Sequence, residues 1–79
     1  MNYVYVLKSF KDDELYIGST KDLRKRLQEH NQGKNLSTQA RRPFELIYYE
    51  AYKSLEDARQ REHSLKFRGN SRKHLINRI

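Results

Sequence analysis

The stretch that decides the fold is Tyr3-Val4-Tyr5-Val6-Leu7, then Leu15-Tyr16-Ile17-Gly18-Ser19, then Lys21-Asp22-Leu23-Arg24-Lys25-Arg26-Leu27-Gln28-Glu29-His30. The first run is apolar, β-branched or aromatic at consecutive positions, the pattern of a strand covered on both faces. Lys11-Asp12-Asp13-Glu14 is a polar turn between the first two runs, which predicts a β-hairpin. In the third run Leu23 and Leu27 stand at i and i+4 with His30 one turn on, so a helix presents a narrow apolar stripe. Thr20 or Ser19 is its expected N-cap and Gly33 its stop.

Further along, Asn31 to Pro43 is polar and reads as an irregular loop. Phe44-Glu45-Leu46-Ile47-Tyr48-Tyr49-Glu50-Ala51-Tyr52 is a third strand. Ser54 caps a second helix from Leu55 to about Arg68, with Asp57 in the first turn, where the macrodipole favours an anion. Gly69-Asn70-Ser71 breaks that helix, and Ser71 caps a short last one carrying Leu75, Ile76 and Ile79. No repeat or linker interrupts the 79 residues. The order β-β-α-β-α-α predicts one α/β (α+β) domain over residues 1–79, a three-stranded antiparallel sheet flanked by helices.

Charge narrows the function. Seventeen Lys plus Arg against ten Asp plus Glu leave a net charge of +7, which favours a polyanionic partner, nucleic acid before a membrane. From Arg59 onward come seven basic residues (Arg59, Arg61, Lys66, Arg68, Arg72, Lys73, Arg78) and one acid, Glu62. With no cysteine, neither a disulfide framework nor a thiolate metal site is available. No membrane-length apolar segment or signal pattern stands out, so the expected location is the cytoplasm. His30, His63 and His74 lack zinc-site spacing, and no phosphate loop or nucleophile elbow is present.

Glu62 is the most informative single residue. Leu55, Ala58 and Leu65 define the apolar stripe of the second helix, and at 100° per residue Glu62 falls inside it. A carboxylate there is paired or costly. The plainer reading is a surface ion pair with Lys66 at i+4, and the sharper one is a hard divalent cation or an internal hydrogen-bond network. Arg26 and His30 are neighbours at i and i+4, read either as a solvated basic face or as a fork for phosphate. Tyr3, Tyr5 and Tyr16 are strand residues whose default is packing. Gly18 permits close approach of a backbone or ligand.

Taken in order, these fragments resemble the GIY-YIG nuclease superfamily, in particular its minimal members similar to the N-terminal nuclease domain of the bacterial excision-repair endonuclease. Tyr3-Val4-Tyr5 stands where the family has Gly-Ile-Tyr, and Tyr16-Ile17-Gly18 is the Tyr-Ile-Gly half, the motif tyrosines eleven residues apart. The helix from Gly18 to His30 and the segment Ala58-Arg59-Gln60-Arg61-Glu62-His63-Ser64-Leu65-Lys66 follow the family pattern. The resemblance implies a metal-dependent endonuclease acting on nucleic acid, DNA first, with a role in DNA repair or recombination. It implies Tyr5 as general base or water-orienting residue, Tyr16 as its positioning partner, and Arg26 as the stabiliser of phosphate charge. His30 would support Arg26 or handle protons, and Glu62 would hold one divalent metal, Mg²⁺ or in its place Mn²⁺. The expected nucleic-acid face comprises Lys21, Arg24, Lys25, Lys34, Arg41, Arg42, Lys66, Arg68, Arg72 and Lys73. Little intrinsic sequence specificity is expected, so a protein partner could supply it. Two departures stand out: Tyr3 replaces the first motif glycine, and Asn77 or Asn70 is the only candidate for the family's terminal asparagine.

Overall fold

A computed structural model describes residues 1–79. The elements are β1 (Asn2–Ser9), β2 (Leu15–Thr20), α1 (Leu23–Asn31), a single 3-10 turn (Gln39–Arg41), β3 (Phe44–Tyr52), α2 (Leu55–Phe67) and α3 (Gly69–Ile76). The strands form one antiparallel sheet in the order β2-β1-β3. β1 is therefore the central strand, and each of its faces is covered by a different layer. Val4 and Val6 pack with Ile17, Ala58, Leu65 and Leu75 under α2 and α3, while Tyr5 and Leu7 pack with Phe44, Leu23 and Leu27 under α1. The continuous apolar run of β1 follows from this two-sided burial.

A β-bulge interrupts the β1–β3 ladder between Val6 and Leu7, so that Val6 pairs with Tyr48 and Leu7 with Leu46. The extra residue shifts the two-residue alternation of β3 by one. Ile47 and Tyr48 both pack on the α2 side, Glu50 turns toward α2, and Tyr49 comes to the α1 side beside Tyr3. Glu50 accepts from Arg61 Nε and Nη2 at 2.9 and 3.0 Å, from Tyr48 Oη at 2.6 Å and from Tyr52 Oη. This buttress ties α2 to the sheet with a bidentate charged pair.

Three local expectations are corrected. The N-cap of α1 is Asp22, whose side chain accepts from Lys25 N at 3.0 Å; Thr20 instead closes the preceding turn through Asp22 N. Ser71 lies within α3, its hydroxyl against Ser64 Oγ at 2.7 Å, because Arg68 alone, in an extended conformation, makes the corner that lets Leu75 turn back into the core. The irregular loop begins one residue later than expected, since Asn31 is the last residue of α1, and it is pinned at both ends: Asn31 exchanges two hydrogen bonds with the Phe44 backbone, and Ser9 Oγ donates to Arg41 O at 2.5 Å.

Candidate active site

β2 is an edge strand, and Gly18 sits on it directly opposite Tyr5. The Tyr5 phenol lies over that glycine: a Cβ at Gly18 would fall 2.5 Å from Tyr5 Oη. The missing side chain leaves room that the Tyr5 ring fills, so the phenol is buried against the sheet edge, with α1 on one face and α2 on the other. On the α1 side, Tyr5 Oη meets His30 Nε2 at 2.9 Å, and His30 Nδ1 meets Thr38 Oγ1 at 2.8 Å. The Thr38 hydroxyl faces the Asn35 carbonyl at 3.5 Å, an acceptor that draws the threonine proton. Thr38 then accepts from Nδ1–H, and Nε2 is left to accept from Tyr5.

The rings of Tyr5, Tyr16, His30 and Phe44 stack edge to face, with Tyr16 and His30 centroids 5.1 Å apart and His30 and Phe44 5.8 Å apart. His30 is wholly buried, so it does not belong to a solvated basic face. Burial, with the Arg26 guanidinium nearby, pushes its pKa below the ordinary imidazole value. Burial and then Tyr16 push the Tyr5 phenol up to about 12 against the opposing pull of Arg26. Tyr5 also senses the charge of Glu62, which lies on the other helix layer.

On the α2 side Glu62 is half-buried. Ser19 Oγ donates to its Oε1 at 2.6 Å and Lys66 Nζ reaches its Oε2 at 2.8 Å. Burial pushes the carboxyl up, but Lys66, Ser19 and Arg59 together hold it below the usual glutamate range, so it is ionised at neutral pH. Lys66 Nζ also stands 6.0 Å over the Tyr16 ring, closing the circle. The lysine ion pair and the inward carboxylate are therefore both present, joined by a serine contact the spacing did not reveal. A carboxylate offers about four lone-pair positions, and Ser19 and Lys66 occupy two. What remains suits a hard cation such as Mg²⁺, which takes one or two carboxylates and completes its shell with waters and substrate phosphate oxygens. No group of three or more His, Cys, Asp and Glu gathers here or anywhere else in the chain, so Glu62 would be the one carboxylate holding such an ion and water and phosphate oxygens would complete its shell.

The structure thus brings together Tyr5, Tyr16, Arg26, His30 and Glu62, with Arg26 also paired to Glu29 at 3.3 Å. Lys66 joins them directly. Lys21 and Lys25 line a concavity beside Arg26, while Arg24, Lys34 and Arg42 are exposed on the α1 side. Arg68 and Lys73 are exposed around the α2–α3 corner, and Arg72 is half-exposed there. Arg41 is committed elsewhere: it donates to Asp12 at 2.8 Å and to Leu15 O at 3.4 Å and covers Phe44. Asn70 and Asn77 are exposed on or beside α3, and no hydrogen bond links either side chain to the cluster. Ser19, the support of Glu62, lies 43 residues from it and Thr38, the support of His30, eight residues on, and neither partnership follows from helical or strand spacing.

Comparison with known proteins agrees with this geometry. A model of the GIY-YIG catalytic domain matches residues 1–75. Over 66 residues the chain is 48% identical to a UPF0213 protein of Bacillus pumilus, a match covering 82% of this chain but 66% of that protein, just under two thirds of its length. It is 43% identical over 67 residues to a UPF0213 protein of Clostridium perfringens, covering 84% of this chain and 71% of that one. The solution NMR structure of a UPF0213 protein from Bacillus halodurans is similar with a TM-score of 0.60 and 35% identity, covering 98% of this chain and 84% of that one. The match of that domain model over residues 1–75 shows that the chain belongs to the GIY-YIG catalytic domain family, a nuclease family.

Proposed function

We propose that the chain is a metal-dependent endonuclease that hydrolyses phosphodiester bonds in nucleic acid, DNA first, with little intrinsic sequence specificity. The observation that carries this reading is that Tyr5, packed over Gly18, lies within electrostatic reach of Arg26 from the α1 layer and of Glu62 from the α2 layer. A buried phenol, an ionised carboxylate and a guanidinium have no packing reason to share one sheet edge.

In this reading Arg26 holds the scissile phosphate and offsets the charge that grows on it. Glu62 would hold a divalent ion, which when bound polarises the phosphate and favours departure of the leaving oxygen. Tyr5 Oη orients the attacking water. With a pKa of about 12, Tyr5 holds no standing phenolate at neutral pH. The proton leaves the water for Tyr5 Oη as the tyrosine proton passes to His30 Nε2, and Thr38 keeps Nδ1 as the donor. Neutral His30 keeps a free lone pair at Nε2 for that proton, and because burial and Arg26 lower its pKa it is a weak base that holds the proton only transiently. A cytoplasmic setting, a role in repair or recombination and a partner that supplies specificity belong to the same reading.

The ammonium of Lys66 on Glu62 Oε2 favours one alternative, a nucleic-acid-binding module in which lysine replaces the cation. Cleavage of labelled single-stranded, duplex and branched DNA and RNA, with Mg²⁺, Mn²⁺ or chelator, separates the two. The nuclease predicts metal-dependent cutting that vanishes in Glu62→Ala and falls roughly 10²-fold or more in Tyr5→Phe. Inert wild type that binds as well as Glu62→Ala would leave only the binding module.

A further inference from the structure

α1 spans only Leu23–Asn31, too short to cover the whole sheet face it packs on. It shields Tyr5 and Leu7 and leaves the end of the face carrying Tyr3 and Tyr49 open. There a groove of about 530 Å³ runs between the start of α1 and the sheet, floored by Leu27 and Leu46 and walled by Tyr3 and Tyr49. The two tyrosine rings lie edge to face with centroids 6.0 Å apart, and Tyr49 is 54% exposed. The bulge in β3 is what turns Tyr49 to this side. Lys21 and Arg24 stand at the mouth. The one acid there, Asp22, is engaged in capping α1.

We infer that this groove binds an unpaired stretch of nucleic acid, with a base against the Tyr49 ring and its flanking phosphates at Lys21 and Arg24. The inference deepens the nuclease reading and rests on it for the strand's path. Charge selects the occupant: an apolar aromatic floor rimmed by cations, on a chain of net charge +7, complements a polymer of flat bases and anionic linkers. Stacking on an aromatic ring needs an exposed base face, which a duplex keeps inside its own stack. The groove is also continuous with the candidate active site. Lys21 and Asp22 line both the groove and the adjoining concavity that contains Arg26. A strand with one phosphate at Arg26 runs over that lip into the groove, so the favoured substrate has unpaired nucleotides beside the scissile bond.

The test is binding, measured by fluorescence anisotropy with chelator present so that nothing is cut. A labelled single-stranded oligonucleotide and a duplex of equal length are titrated at one salt concentration with wild type, Tyr49→Ala and Tyr49→Phe. Tyr49→Ala is expected to weaken single-strand binding roughly 5- to 100-fold, the range for one lost stacking contact. Duplex binding should change less than about 2-fold, since phosphate contacts dominate it. Tyr49→Phe, which keeps ring and packing, should bind like wild type. Equal losses on both ligands, no loss on either, or a Tyr49→Phe variant as weak as Tyr49→Ala would overturn the inference. Because turnover is not read, its failure is separate from that of the nuclease. Discrimination by Tyr49 in a chain that never cuts would sink the enzyme and keep the groove, and a Glu62-dependent nuclease indifferent to Tyr49 would do the reverse.

Discussion

Gly18 and Tyr5 face each other across the β2–β1 ladder, and the hydroxyl of one fills the space left by the other. An alanine at position 18 would put a methyl 2.5 Å from Tyr5 Oη and 2.7 Å from Cζ. The phenol cannot swing aside, because His30, Tyr16 and the rest of the α1 layer hold it. Gly18→Ala is therefore expected to cost about 1–3 kcal/mol, the usual penalty for overpacking a filled site, seen as a lower urea midpoint at unchanged slope. A variant as stable as wild type would mean that the phenol is free to move. At this scale the sequence was informative about types and silent about partners. Tyr5, Arg26, His30 and Glu62 stood out by motif and helical spacing. Which atoms they touch depended on Ser19, brought to Glu62 by the packing of α2 on β2, and on Thr38, brought to His30 by the loop that follows α1.

Among the elements, α1 and α2 begin in the same way, an Asp22 or Ser54 side chain accepting from the third residue on. Asp22→Ala should destabilise the protein by about 1 kcal/mol, whereas Thr20→Ala, which loses only a turn contact, should cost a few tenths. Equal urea midpoints for the two variants would show that Asp22 is not the working cap. Ser54 was legible because it directly precedes its helix. Asp22 directly precedes α1 in the same way, but Ser19 and Thr20 compete with it as capping types, and the extended backbone at Asp22 decides among the three. The bulge in β3 was equally hidden. Its sequence is apolar or aromatic at most positions and accommodates either alternation, and the choice is made by Arg61 on α2, which needs Glu50 on its side.

Across the whole molecule, the displaced titrations bound a pH range of greatest stability. Burial lowers the folded pKa of His30 from its ordinary 6.5, so its contribution is complete above that value and is lost as pH falls below it, when the unfolded chain binds the proton first. Glu62 and Glu50 start from 4.5 and are held lower when folded, so each adds stability above 4.5 and loses it in more acid solution. At the other end Tyr5 and Tyr52, ordinarily near 10, are raised to about 12, and their contribution is lost as pH climbs through that interval. Stability measured by urea titration should therefore peak between about pH 6.5 and 10 and fall in two acid stages. Substituting His30 by Gln should remove the upper acid stage alone. A wild-type curve flat from pH 7 down to 5 would mean that His30 titrates normally in the folded state.

Alone, the sequence determined the element order, the two-sided burial of β1, the cationic balance and the residue types at the site. Each of these depends on periodicity or composition, which survive without coordinates. Only the tertiary structure decided that β2 is an edge whose Gly18 is covered by the Tyr5 ring, that His30 is buried and neutral, and that Arg41 serves the hairpin rather than the cationic surface. The same is true of the groove that α1 leaves open beside Tyr49. Those features arise where two layers meet one sheet, and the relation between layers is set by packing across many residues of chain, not by the neighbours of any one residue.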